Sequence, residues 1–274
     1  MKTKFPIIIS MALLLLASHT SCSDNRSSVV SASDELLYKQ QFDSLRQLVY
    51  QGDNEAALQL ASYYIEGKGV ERSYINAAYI HLYYTGFSDT DFVSIIESYP
   101  PNSPYRILVE FIGSGLDYYT LDEEKFGIIK QSLPLEAEAI ETFNDFWLDE
   151  SDTEQCLKSL ERLERKGSEV SVLYQFNLYI AESYKGVNED VYMDFLVKHS
   201  DRFPIYYGFL GNLYFGKYIA YQNPSYLQQA ITFYCRVKSY GMLESREAHY
   251  LSMLYEHCEE EGILPDLNED SMPY

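Results

Sequence analysis

The chain has 274 residues, 41 of them acidic and 21 basic, and a formal charge of −20 at pH 7. Such a surface repels nucleic-acid phosphates and anionic lipid head groups, which excludes a nucleic-acid partner and leaves neutral or basic proteins, peptides and sugars. Four cysteines in a chain of this length do not make a disulfide-stapled scaffold.

Lys2 and Lys4 open the chain, and an apolar run from Phe5 to Ala17 follows, interrupted by Ser10. The run is shorter than the ~20 residues that span a bilayer as a helix and suits the apolar core of a secretory signal. It ends in His19-Thr20-Ser21-Cys22. Small residues before a cysteine resemble the lipobox of bacterial lipoproteins. With His19 in place of the usual aliphatic residue, the box is similar to the looser ones of Bacteroidota lipoproteins. The resemblance implies that residues 1–21 are a lipoprotein signal peptide and that Cys22 is lipidated. An ordinary signal peptide cut near Ala17 or Ser21 is the alternative. Residues 22–33 then comprise the lipidated cysteine and a flexible tether, because Ser23–Ser33 is small and polar with no helical period. Ser23 rather than aspartate follows the cysteine, which by the same resemblance implies an outer-membrane address, on its periplasmic or its surface face. Loss of residues 1–21 removes two lysines and no acid, taking the charge to about −22.

Residues 34–262 carry amphipathic helical windows separated by short turns with Gly, Pro, Asn or Asp, and almost no strand-like alternation. This predicts an all-α domain. In the stretch that begins at Gly52, Ala56, Leu60, Ala61 and Tyr64 share one helical face. Gly67-Lys68-Gly69-Val70 reads as a turn, and a second helix carries Ala77, Ala78 and Tyr84. The turn is not a phosphate loop: a Walker pattern follows a strand and needs four residues before its Gly-Lys-Ser/Thr. Further breaks are expected at Pro100-Pro101, Pro134, Pro204 and Pro224. Ser151 and Glu154 have capping-box spacing ahead of a Cys156, Leu157, Leu160, Leu163 stripe that Gly167 ends. Leu210, Gly211 and Tyr214 lead to Ala230 in the next helix, and Ala248, Leu251 and Tyr255 repeat the register 41 residues after the first set. Residues 263–274 are an acidic tail. Asp266–Asp270 opens like a calcium loop but has Ser271 in the glycine position and ends too soon for a twelfth ligand.

The spacing of Leu60, Tyr64, Gly67, Gly69, Val70 and Ala77 resembles the Sel-one-like repeat, a relative of the tetratricopeptide repeat. Ala61 stands for its usual Gly and Ser73 for its usual Asp. The resemblance is good over 52–86, fair over 205–260 and architectural between. It implies an α-solenoid of stacked antiparallel helix pairs. Gly67, Gly69 and Val70 would form a repeat turn, and Leu60, Ala61, Tyr64, Ala77, Leu210, Gly211, Tyr214, Leu251 and Tyr255 would pack the repeats. A single pair cannot bury its apolar face, so pairs must stack.

The candidate chemistry is sparse. Cys156, Cys235 and Cys258 are expected to be buried free thiols, since the helix register separates Cys235 and Cys258 by roughly 16 Å along their axes. His249 and His257 lie two turns apart without zinc-site spacing, and no metal or cofactor is expected. No nucleophile, base and orienting group assemble by motif, so an enzyme is not expected. The unusual feature is 27 tyrosines against one tryptophan, Trp147. Tyr83, Tyr84, Tyr218 and Tyr221 are the candidate binding face, tyrosine being a contact of low entropic cost. The expected function is a membrane-anchored, non-enzymatic interaction scaffold for another envelope protein or an extended peptide. The alternative is a surface lipoprotein that binds glycans or peptides.

Overall fold

The computed structural model describes residues 32–262, apart from 85, 117, 119–120, 150–151 and 185–188. Every regular element among the described residues is a helix. In chain order they are α1 (Ala32–Tyr50), α2 (Asn54–Glu66), α3 (Tyr74–Tyr83), α4 (Asp89–Glu97), α5 (Pro104–Gly113), α6 (Glu123–Ser132), α7 (Pro134–Asp149), α8 (Thr153–Arg165), α9 (Val170–Tyr184), α10 (Glu189–His199), α11 (Ile205–Tyr221), α12 (Pro224–Ser239) and α13 (Ser245–Glu261).

Local chemistry explains most helix starts. A helix leaves its first amide N–H groups without intrahelical partners, and a side-chain oxygen just ahead of it supplies one. Asp53, Ser73, Asp122 and Asn223 do this for α2, α3, α6 and α12. Ser88 and Asp91 form a capping box on α4, as Glu244 and Glu247 do on α13. The expected cap at Ser151 falls outside the described residues; α8 is capped one residue later, by Asp152, which accepts from Glu154 N–H at 3.0 Å. The prolines sit at helix beginnings, Pro104, Pro134 and Pro224 as first residues and Pro204 at the N-cap of α11.

The α2–α3 turn depends on its glycines for two separate reasons. Gly67 adopts φ +69°, ends α2 and donates to Tyr63 O at 2.8 Å. Gly69 adopts φ +63°, and a Cβ there would overlap the backbone of Tyr38 and Lys39 in α1. Lys68 points to solvent and pairs with Glu66. Val70 is half-buried against the core. Behind the turn, Leu60, Ala61, Ala77 and Ala78 are completely buried, and the small volume of the three alanines lets α2 and α3 approach closely. Gly211 does the same for α11 and α12: a Cβ there would come 2.5 Å from the ring of Tyr234. Leu210, Leu251 and Tyr64 are buried, and Tyr214 and Tyr255 are half-buried.

Most helices pack on their neighbours in the chain, but α5 packs chiefly on α3, α7 packs on α9 as well as α8, and α1 also packs on α12. At this seam Arg46 is 6% exposed. Its Nη2 donates to Ser239 Oγ at 3.0 Å, and its guanidinium lies 3.7 Å from the centre of the Tyr240 ring. Tyr50 OH donates to Cys235 Sγ at 3.6 Å. Gly241, the φ +71° turn after α12, faces Val49, Ile80 and Tyr84. Asn76 Nδ2 donates to Arg202 O at 2.8 Å, tying α3 to the α10–α11 turn. An ideal stack lets each pair touch only its neighbours, and these contacts lie outside that pattern.

The first helix begins at Ala32, two residues before the expected domain start. The signal segment 1–21, Cys22, the tether as far as residue 31, and the tail 263–274 with its Asp266–Asp270 stretch lie outside the described residues. Cys156, Cys235 and Cys258 are free and buried.

Two outcomes check this packing. Gly69→Ala is expected to cost about 2–4 kcal/mol in urea denaturation, from left-handed strain and overlap with α1. Gly52→Ala, at φ +93° with nothing within 4 Å, is expected to cost only about 1 kcal/mol, and Lys68→Ala less than about 0.5 kcal/mol. Equal losses at Gly69 and Gly52 would refute the close approach. In a double-mutant cycle, Arg46→Ala and Tyr240→Leu are expected to couple by at least about 0.5 kcal/mol; additive losses would mean the seam does not hold the cation.

Candidate functional site

The four candidate tyrosines do not assemble into one face. Tyr84 is 8% exposed and packs edge-on to Phe87 at 4.9 Å, so its ring belongs to the core. Tyr83 is half-buried and stacked on Tyr79 at 5.5 Å. Burial and the nearby carboxylates of Glu244 and Glu247 raise its phenol pKa. Tyr218 is half-buried and its hydroxyl meets Nε2 of His257 at 2.6 Å. Only Tyr221, 72% exposed, is offered to solvent, beside Tyr226.

The perturbed ionisable groups support the framework. Glu136 reaches from α7 to the start of α9, where Oε1 accepts from Glu169 N–H and Oε2 from Val170 N–H, each at 2.9 Å, and from the Ser168 hydroxyl. Burial raises its pKa against these donors. Glu169 in turn faces the start of α3, near Ser73 and the Ile75 N–H. Burial pushes its carboxyl up to about 7, and the neighbouring Glu136 adds to the shift. Glu247 is buried beside Gly208, with Asn212 Nδ2 donating to Oε1 at 2.8 Å and Glu244 N–H to Oε2 at 3.2 Å. Burial and the Glu244 charge push it to about 7. His81 is buried against the Tyr105 hydroxyl, and burial lowers its pKa to about 4, so it is neutral at pH 7. Among the described residues, no group of three His, Cys, Asp or Glu side chains could hold a metal ion.

A well-formed concavity lies elsewhere, in the middle third of the chain. A cavity of about 530 Å³ opens between α7, α9 and the turn after α5. From α7 come Phe143, Asn144 and Trp147, with the two rings one helical turn apart. From α9 come Tyr174, Asn177, Leu178 and Ala181, the spacing of a single helix face. Gly115 and Leu116 close one side in consecutive left-handed conformations, φ +80° and +65°. For leucine that conformation costs roughly 1–2 kcal/mol. Hydrogen bonds from Gly115 N–H to Ile112 O and from Leu116 N–H to Phe111 O, both 3.0 Å, hold it.

Three rings run outward through this cavity. Tyr174 is buried and stacks on half-buried Phe143 at 4.0 Å and 11°. Phe143 lies nearly parallel to Trp147 at 6.4 Å and 19°, and Trp147 is 72% exposed. Asn144 and Asn177 are half-buried, and among the described residues their carboxamides take no hydrogen-bond partner. Among the described residues, no charged side chain lines the cavity. The sequence marked Trp147 as the one tryptophan without assigning it a place. The available signal was the Phe143–Trp147 spacing and the Phe-Asn pairs at 143–144 and 176–177.

Among the described residues, no helix is long and apolar enough to cross a membrane. Comparisons with models of protein families, with curated proteins and with solved structures find no match.

The raised Glu169 carboxyl makes stability depend on pH. Its folded pKa of about 7 exceeds the ordinary value of 4.5, so the fold binds the extra proton between these values. The favourable contribution is complete below about pH 4.5 and is lost as pH rises through 7. Glu169→Gln is therefore expected to add about 1–3 kcal/mol at pH 8 and much less at pH 4.5, measured by urea denaturation. Equal gains at both pH values would exclude the buried charge as the cause.

Proposed function

We propose that the protein is a non-enzymatic binding protein of the bacterial envelope, held at the outer membrane by lipid on Cys22. Its helices are read as a Sel-one-like, tetratricopeptide-like α-solenoid of stacked antiparallel pairs whose ends are brought together by the α1–α12 contact. Support for the repeat comes from the α2–α3 pair, where Gly67 and Gly69 make the turn and Leu60, Ala61, Tyr64 and Ala77 are buried. Support for the anchor comes from the resemblance of His19–Cys22 and its flanks to a lipobox.

The observation that carries the binding role is the cavity wall between α7 and α9. It combines aromatic faces with two carboxamides, groups that hold a neutral ligand by stacking and hydrogen bonding. Another envelope protein or an extended peptide can fill such a site with a side chain, and a neutral glycan can fill it with a sugar ring. The carboxylates shifted towards neutrality, Glu169 and Glu247, are not among the lining groups and serve in helix caps.

The test uses the full-length chain in its native envelope. The wild type is expected to sediment with membranes and Cys22→Ser to remain in the soluble fraction. Crosslinking in the envelope is expected to recover protein or polysaccharide that Trp147→Ala no longer retains. Equal recovery by wild type, Trp147→Ala and a mock bait would end the binding reading, and a sedimenting Cys22→Ser would end the anchor.

A further inference from the structure

We infer that the cavity between α7 and α9 is a carbohydrate subsite that takes one neutral pyranose ring, stacked on the Phe143–Trp147 wall and held at its edge by Asn144 and Asn177. The inference rests on the binding role proposed above and names the ligand class of that site. Two observations point the same way. The outermost ring, Trp147, is 72% exposed although it belongs to a stack whose inner member, Tyr174, is buried. An indole face in water attracts a flat apolar partner, and the C–H face of a pyranose meets its electron-rich surface as the positive edge of another ring would. Each carboxamide offers two donors and an acceptor, which suits neighbouring ring hydroxyls that both donate and accept. Neither Asn144 nor Asn177 spends this capacity within the protein among the described residues.

Charge and size narrow the class. Among the described residues the wall has no cation to meet a carboxylate, phosphate or sulfate, and the chain as a whole is at −20. An anionic sugar would be repelled from such a surface. At about 530 Å³ the cavity falls in the range of sites for small organic ligands, ~300–1,000 Å³. A purely apolar side chain would fill the aromatic part but leave both carboxamides at its edge to water. A sugar ring engages both features.

Trp147 is the only tryptophan in the chain, so its emission reports this site alone. The full chain in mild detergent is titrated separately with maltotriose, cellotriose and tri-N-acetylchitotriose. Trigalacturonate serves as an anionic control and an uncharged tyrosine-containing pentapeptide as a protein-like control. At least one neutral sugar is expected to give a saturable blue shift that trigalacturonate does not. By calorimetry, Trp147→Ala and the double variant Asn144→Ala/Asn177→Ala are expected to weaken that sugar at least tenfold, whereas Tyr221→Ala leaves it unchanged. A saturable shift with the pentapeptide alone overturns the sugar assignment and leaves the binding role standing. No shift with any neutral sugar, or sugar affinity unchanged in the Trp147 and asparagine variants, also overturns it. The envelope crosslinking decides the binding role separately.

Discussion

A buried guanidinium has to be paired or shielded, because removing a cation from water costs several kcal/mol that packing alone does not return. Arg46 on α1 meets that requirement with the Asp43 carboxylate on its own helix, 3.8 Å away, and with groups almost two hundred positions off, the hydroxyl of Ser239 and the face of Tyr240. The seam it anchors also contains Tyr50 with Cys235, and Gly241 fitted against Val49, Ile80 and Tyr84. In a linear repeat array the terminal units lack a neighbour on one side. Here the first helices are covered by the last ones, so the surface that an array would leave open is spent on a contact within the chain. The entropic cost of closing so long a chain grows only with the logarithm of its length, so an interface of this kind can hold it.

The same economy governs the buried acids. Glu136 and Glu169 lie at the starts of α9 and α3, where amide N–H groups and the positive end of the helix dipole favour a carboxylate. Burial opposes ionisation more strongly than these donors favour it, which is why both carboxyls titrate above their ordinary range. Perturbed carboxyls of this kind often mark catalytic centres. Here their neighbours are helix ends, serines and Arg202, and they knit α3, α7 and α9 together. Glu247 has a similar place between α11 and α13, in the space left by Gly208.

The cavity arises where the facing helix positions change from small to aromatic residues. At α2–α3 and α11–α12, alanines and glycines let helices close on each other and leave no room between them. Between α7 and α9 the facing positions hold Phe143 and Tyr174, whose rings stack instead of interlocking with small neighbours. The α5–α6 turn is kept in place by the two left-handed residues Gly115 and Leu116. Residues in sparsely populated backbone conformations persist when their surroundings over-determine them, and such positions gather at binding sites. Trp147 extends the stack past the protein surface, where the next planar partner has to come from outside the chain.

The sequence by itself determined the helical class, several helix ends, the two-glycine turn and the buried faces around Leu60, Ala61, Leu210 and Gly211. All of these rest on interactions within a few residues: capping side chains, proline and glycine backbone limits, and the 3.6-residue period of apolar positions. At α8 the capping oxygen is that of Asp152. Only the tertiary structure decided what depends on distant partners. It placed Tyr84, a candidate binding residue, in the core, and it left Trp147 exposed. It brought Asn144 and Asn177 from two helices into one cavity wall and set Arg46 against Tyr240. Periodicity tells which residues share a face. What that face meets is settled by the packing of the other helices.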